Sequence, residues 1–334
     1  MKEFINRILQ SSKVTALPVM THPGIEAIGK TVREAVSSGE IHYKAIKYIS
    51  EHFDTLACTS IMDLTVEAEA FGAKINFPEH EVPSVSERLV VDLESVELLE
   101  VPSLEKGRIS QFLLANKLAA ENIKNKPVFS GCIGPFSLAG RLYDMSEIMV
   151  AIYIEPDIVL QLLSKCTEFL VNYCIALKAT GTAGVIIAEP AAGLLSDDDC
   201  KEYSSNFVKQ IVDSVQDETF TIILHNCGNT GHCTNAMIAS GAKALHFGNA
   251  INMEDVLKQC PKDIVVMGNL NPVGVFKQGT RESVRKATRK LLDETAGYLN
   301  FVISSGCDLP PFVPEENIYA FLETVEEFNT KQYT

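Results

Sequence analysis

The 334-residue chain is short of positive charge: 29 lysines and arginines stand against 43 aspartates and glutamates, a formal charge of −14. That balance repels nucleic acid and anionic membranes, so neither is expected as a partner, although a local basic pocket could still hold an anion. No apolar run reaches the roughly 18 residues of a membrane span, and the opening Met1-Lys-Glu-Phe-Ile-Asn6 lacks the hydrophobic core of a secretory signal. A cytoplasmic protein is the expectation. A disulfide framework is missing too: nine cysteines, an odd number without a secretory signal, point to reduced thiols. No low-complexity linker divides the chain, and 46% hydrophobic with 22% charged residues is ordinary globular usage.

What is present is a series of short β-rich runs: Ala16–Met20, Thr55–Thr59, Val128–Gly131, Gly184–Glu189, Thr219–His225, Lys243–Gly248, Ile264–Asn269 and Phe301–Ser305. Most are near-continuous apolar stretches without clean alternation, the mark of parallel strands buried on both faces. Patterned helices lie between them. Glu155–Thr180 carries apolar residues at Val159, Leu162, Leu163, Cys166, Phe169 and Leu170, and Thr280–Thr295 starts at Thr280 with Glu282 and Ser283 in its first turn. Eight strand-helix units predict a (β/α)₈ TIM barrel, one domain over residues 1–334. Met1–Lys13 is then an extra helix closing the base, and Asp63–Lys126 an insertion after strand two.

Three soft ligands stand out. His225 and Cys227 end the fifth run in Thr221-Ile-Ile-Leu-His-Asn-Cys-Gly228, and Cys307 follows the eighth in Phe301-Val-Ile-Ser-Ser-Gly-Cys-Asp308. One imidazole and two thiolates form a three-ligand zinc set whose fourth position stays free. Out of context, a cysteine near a strand end is a small buried apolar residue, the reading that fits Cys58, Cys132, Cys166, Cys174, Cys200 and Cys260. Barrel topology changes this for the triad, because active sites lie at the C-terminal ends of the strands. His225, Cys227 and Cys307 would share that rim with Glu189, which ends the fourth run. His232 and Cys233 offer a competing closed set, although Thr230 and Gly231 read as the opening of a helix that would turn both away.

His225-Asn-Cys-Gly-Asn229 together with Ser304-Ser-Gly-Cys-Asp308 resembles the zinc site of the methylcobamide:coenzyme M methyltransferases, a branch of the uroporphyrinogen decarboxylase superfamily. Met62-Asp-Leu-Thr-Val-Glu-Ala-Glu-Ala-Phe-Gly72, Gly134-Pro-Phe-Ser-Leu-Ala-Gly140, Gly268-Asn-Leu-Asn-Pro272 and Pro314-Glu-Glu-Asn-Ile318 are similar to that superfamily's blocks. The resemblance implies a single barrel and an enzyme that transfers a methyl group from a separate methyl-corrinoid (cobalamin) protein to a small thiol deprotonated on zinc. It assigns His225, Cys227 and Cys307 to the metal. Glu189 becomes a candidate weak fourth ligand or general base, with a solvated rim carboxylate as its plain reading. The Gly134–Gly140 block would shape the pocket. Asp63 matches a pocket acid of the wider superfamily, but reads here as a helix N-cap; Glu67 and Glu69 could be pocket residues, but one turn of a helix normally shows such carboxylates to water.

Two other functions compete. Decarboxylation of uroporphyrinogen needs arginines for the many carboxylates, supplied in the decarboxylases just after the first strand. Met20-Thr-His-Pro-Gly-Ile-Glu26 has none there, leaving His22 as polar furniture of a different pocket. A non-catalytic zinc-bearing binding subunit would instead close the fourth position with a protein ligand. Cysteine hydrolysis is weaker, since no third residue orients His225 and Cys227. The acceptor thiol stays open: the sulfonate of coenzyme M wants a basic or amide anchor, and no Arg or Lys adjoins the three ligand segments.

Overall fold

A computed structural model describes residues 2–331; Met1 of the expected basal helix and residues 332–334 of the expected domain lie outside them. The eight expected runs form eight parallel strands: β1 (Thr15–Ala16), β2 (Cys58–Thr59), β3 (Val128–Ile133), β4 (Gly184–Ala188), β5 (Thr221–Asn226), β6 (Ala244–Phe247), β7 (Val265–Leu270) and β8 (Phe301–Ser305). In the sheet, β1 pairs with β8 and each later strand with its predecessor, down to β3 against β2. The sheet curls closed where Leu56 N donates to the Ala16 carbonyl at 2.8 Å and Met20 N to Thr59 Oγ1 at 3.3 Å. The result is the (β/α)₈ barrel. β1 is shorter than the run from Ala16 to Met20 because Pro18 has no N–H to give the ladder. Beyond it a side chain takes over, with Val19 N donating to Ser305 Oγ at 3.0 Å.

Strand parity explains the continuous apolar runs. Leu17, Phe129, Ile186, Ile223, Val265 and Val302 point inward and meet Phe4, Ile5 and Ile8 of the helix Lys2–Leu9, which plugs the base. Their neighbours Val185, Ile187, Ile222, Leu224, Val266 and Ile303 point outward into the shell of helices. Each such side chain, fully buried, contributes about 1.5–3 kcal/mol.

The helix Pro156–Ala179 is the one among the described residues long and apolar enough to cross a membrane. Instead it buries the stripe from Val159 to Leu170 against the core, while Lys165 reaches across to the carbonyls of Val96, Glu97 and Leu99. At Thr280 the expected cap is present: its hydroxyl accepts from Ser283 N, and Ser283 Oγ accepts from Thr280 N at 2.8 Å. Cys58, Cys132, Cys166, Cys174, Cys200 and Cys260 are buried free thiols.

The insertion after β2 holds the helix Val66–Ala70, an antiparallel pair Ile75–Asn76 with Ser84–Val85, and the helices Leu93–Leu98 and Ile109–Asn122. Two expectations for it are corrected. Asp63 caps no helix; it accepts from Thr65 N and Oγ1 and pairs with Arg108, which also holds Glu69. Glu67 faces the interior, not water: Oε1 accepts from Ile133 N at 3.1 Å, and Oε2 has no partner. The helix Val66–Ala70 packs against the helices Pro135–Tyr143 and Ile109–Asn122, so the side pointing to Glu67 is closed off.

Burial pushes the Glu67 carboxyl from its ordinary 4.5 up to about 8. Between those values the folded chain keeps a proton that the unfolded chain has released, so stability is fully present below pH 4.5 and falls as pH rises toward 8. Glu67→Gln should flatten that slope. Urea melts at pH 5 and pH 8 check it, and an unchanged slope would show that Glu67 does not titrate this way.

Candidate metal centre

At the C-terminal mouth of the barrel, β5 ends in a turn built by its own last residue. Asn226 Oδ1 accepts from Gly228 N and Asn229 N, both at 3.0 Å, which turns the chain at Cys227 out of the strand direction, where it lines the cavity at the barrel mouth. The turn is pinned by close backbone approach. A Cβ on Gly193 would stand 2.2 Å from the Gly228 carbonyl carbon, and one on Gly248 would stand 2.6 Å from Cys227 Cα, so only glycine fits either place. Cys307 lies just beyond β8, three strands away.

His225, Cys227 and Cys307 are thereby brought together, with donor atoms all within 4.8 Å of one another and His225 Nε2 at 3.6 Å from Cys307 Sγ. Tetrahedral zinc with Zn–N near 2.0–2.1 Å and Zn–S near 2.3 Å sets neighbouring donors about 3.5–3.8 Å apart. The spacing and the donor types both fit zinc, and no fourth His, Cys, Asp or Glu joins the group among the described residues. The neighbouring Cys307 thiol draws the Cys227 thiol's pKa down, and Cys227 together with burial pushes that of Cys307 up.

The three donors open onto a cavity of about 500 Å³ walled by Met62, Ile186, Ala188 and Pro190 and roofed by Phe312. His80 and Val82, from the loop 77–83 of the insertion, close part of the mouth, and the Lys277 ammonium lies 5.9 Å from the Phe312 ring centre. His22 and Asp308 also line it, with His22 Nδ1 3.9 Å from Asp308 Oδ1. His22 therefore belongs to the same pocket as the triad. Burial opposes its charge, yet the neighbouring carboxylate holds its pKa above the ordinary imidazole value.

Glu189 takes a different place from the one expected. Its Oε1 accepts from Phe136 N at 2.7 Å, and its Oε2 accepts from Ser137 N at 3.0 Å and Ser137 Oγ at 2.8 Å. The carboxylate thus caps the N-terminus of the helix Pro135–Tyr143, where the unpaired N–H groups and the helix dipole favour an anion. Neither oxygen joins the three-donor group, and the side chain is buried, with burial pushing its carboxyl up to about 7. The Gly134–Gly140 block supplies this helix start, so it shapes the rim through Glu189.

His232 and Cys233 turn away as expected: His232 Nε2 meets the Leu195 carbonyl at 2.9 Å, and Cys233 Sγ donates to the same carbonyl at 3.4 Å. What sequence reading missed are Asp308 and the barrel-interior pair His246 and Ser304. Parity was the available signal, since His246 sits opposite His225 in the β5–β6 register.

A model of the uroporphyrinogen decarboxylase family matches residues 2–328. The methylcobamide:CoM methyltransferase MtbA of Methanosarcina mazei is 29% identical, and that of Methanosarcina acetivorans 28%, each over 98% of this chain and 98% of the relative. A uroporphyrinogen decarboxylase of Legionella pneumophila is 24% identical over 81% of this chain and 78% of its own length. Among solved structures, a methyltransferase from Methanosarcina mazei superposes with a TM-score of 0.87 at 24% identity, covering 98% of both chains. Since the family model runs from the plug under the barrel into the last helix, the chain belongs to the uroporphyrinogen decarboxylase family, whose methylcobamide:coenzyme M methyltransferase branch it resembles along its whole length.

Proposed function

We propose that this protein is a zinc-dependent methyltransferase that moves a methyl group from a methyl-corrinoid protein to a small thiol such as coenzyme M, with residues 1–334 acting as one domain. The observation that carries the proposal is a zinc-spaced triad, with no fourth His, Cys, Asp or Glu joining it among the described residues, opening onto a cavity of about 500 Å³. The names of the Methanosarcina relatives support the same reading.

Bound zinc would supply Lewis acidity, holding the acceptor as thiolate at a pH where a free thiol of pKa about 8.5 is almost wholly protonated. His225, Cys227 and Cys307 would hold it. Their two thiolates would cancel the dication's charge, leaving a bound substrate sulfur electron-rich. Met62, Ile186 and Ala188 exclude water around that sulfur. In the transfer a sulfur–carbon bond forms as the cobalt–carbon bond breaks. The bonding pair leaves with cobalt, and the thiol proton goes to solvent.

A uroporphyrinogen decarboxylase reading finds less support. No arginine lines the cavity among the described residues; Lys277 does, as do the carboxylates of Asp308 and Glu81. A non-catalytic zinc subunit would have its fourth position filled by protein.

The test is anaerobic incubation with free methylcobalamin and a panel of thiols. The methyl-cobalt spectrum should convert to that of reduced cobalamin in proportion to bound zinc, at about one zinc per chain. Uroporphyrinogen should lose no carboxyl groups. Zinc binding without exchange of the fourth ligand, or decarboxylation at enzymatic rates, would replace this reading with one of the others.

A further inference from the structure

Inside the barrel, one layer below the triad, four groups on four strands or their continuations form a single hydrogen-bonded line. His225 Nδ1 lies 2.7 Å from His246 Nδ1, His246 Nε2 lies 2.8 Å from Ser304 Oγ, and Ser304 Oγ lies 2.6 Å from the Leu17 carbonyl oxygen. His246 and Ser304 are wholly buried. Neither lines the cavity or belongs to the triad.

The line admits one polarity. The Leu17 carbonyl can only accept, so the single Ser304 hydroxyl hydrogen points to it. Ser304 Oγ must then accept from His246, which places the His246 hydrogen on Nε2 and leaves Nδ1 bare. Reversing it would set lone pairs against each other at 2.8 Å, with no hydrogen between Ser304 Oγ and His246 Nε2. A bare His246 Nδ1 requires a donor at 2.7 Å, and His225 Nδ1–H is the one present. His225 therefore keeps its own Nε2 lone pair, aimed at Cys307 Sγ 3.6 Å away.

We propose that His246 and Ser304 are positioning residues that lock His225 in the Nδ1–H tautomer, with Nε2 ready to bind metal before any metal arrives. In the other tautomer His225 would present a hydrogen to the two sulfurs and could not ligate. The lock reaches through the barrel from β5 by way of β6 and β8 to the chain after β1, so the imidazole is fixed by the fold as a whole. Histidine ligands are held this way by an acceptor on their second nitrogen, and loss of such an acceptor costs about 10–100-fold in metal affinity. The affinity consequence rests on the zinc reading above; the tautomer assignment does not.

The test has two readouts. Nitrogen NMR of the zinc-free protein, labelled with ¹⁵N-histidine, should find His225 protonated at Nδ1 and bare at Nε2, with that preference lost in His246→Ala. Zinc competition against a chromophoric chelator should show affinity about 10–100-fold weaker in His246→Ala. His246→Asn should recover most of it, because its Oδ1 can accept where Nδ1 did. Ser304→Ala, the smallest change and the one safest for folding, should fall between wild type and His246→Ala in both readouts. A His225 found protonated at Nε2 in the wild type, or wild-type affinity in folded Ser304→Ala and His246→Ala, overturns the proposal. If the wild type binds no zinc, the proposed function fails, and the NMR result alone decides the tautomer lock.

Discussion

On the proposed function, Cys307→Ala should leave a folded barrel that retains no zinc and methylates no thiols. The side chain is partly exposed at the cavity wall, so its loss removes a soft anionic ligand and little packing volume. Two remaining donors, His225 Nε2 and Cys227 Sγ, cannot hold the metal against water. The expected result is a fall in zinc affinity of several orders of magnitude with an unchanged circular dichroism spectrum. Cys233→Ala is the matched control, because that thiol bonds the Leu195 carbonyl and stands outside the donor group. Elemental analysis after dialysis separates the two variants. Full zinc content in Cys307→Ala, or loss of zinc in Cys233→Ala, would move the metal to the closed His232–Cys233 set.

The second large effect concerns stability. Arg108 reaches into the insertion with a side chain 9% exposed and meets Asp63, which is 0% exposed; it also bonds Glu69, Thr65 Oγ1 and the Val36 carbonyl. Arg108→Met keeps most of the apolar stem but leaves the Asp63 carboxylate buried without its cation, an outcome that costs roughly 3–5 kcal/mol. Asp63→Asn in the same chain should return most of that loss, since the neutral amide needs no counter-charge. Urea unfolding of the single and double variants measures the coupling. Equal destabilisation in both would mean that Arg108 acts by packing on Phe77 and Phe112 alone. Asp63 adjoins Met62, whose N–H donates to Asp308 at 3.4 Å, so loosening this ion pair should also loosen the cavity wall.

The strands were readable because burial on both faces writes itself as uninterrupted apolar runs, and the triad because His and Cys side chains able to bind metal, set at strand ends, depart so sharply from that background. Glu189 shows where such reading stops. Its position on the rim was legible, but its role depends on Phe136 and Ser137, whose N–H groups approach it only because β3 and β4 are neighbours. Asp63 and Glu67 failed for the same reason. Asp63 before a short helix reads as its cap, and Glu67 on that helix reads as solvated, until Arg108 or the wall of packed helices arrives from farther along the chain.

The sequence by itself determined the eight-stranded barrel, the plug beneath it and the identity of the three metal-type donors, since each rests on local patterns of burial and on residue chemistry. Tertiary structure alone decided that His225 Nε2 and Cys307 Sγ stand 3.6 Å apart, that Glu189 serves a helix, and that His22 and Asp308 share the triad's cavity. It also decided which nitrogen of His225 is free, because that depends on a line of hydrogen bonds between segments up to 287 residues apart, and hydrogen-bond partners at such separation leave no periodicity in the chain.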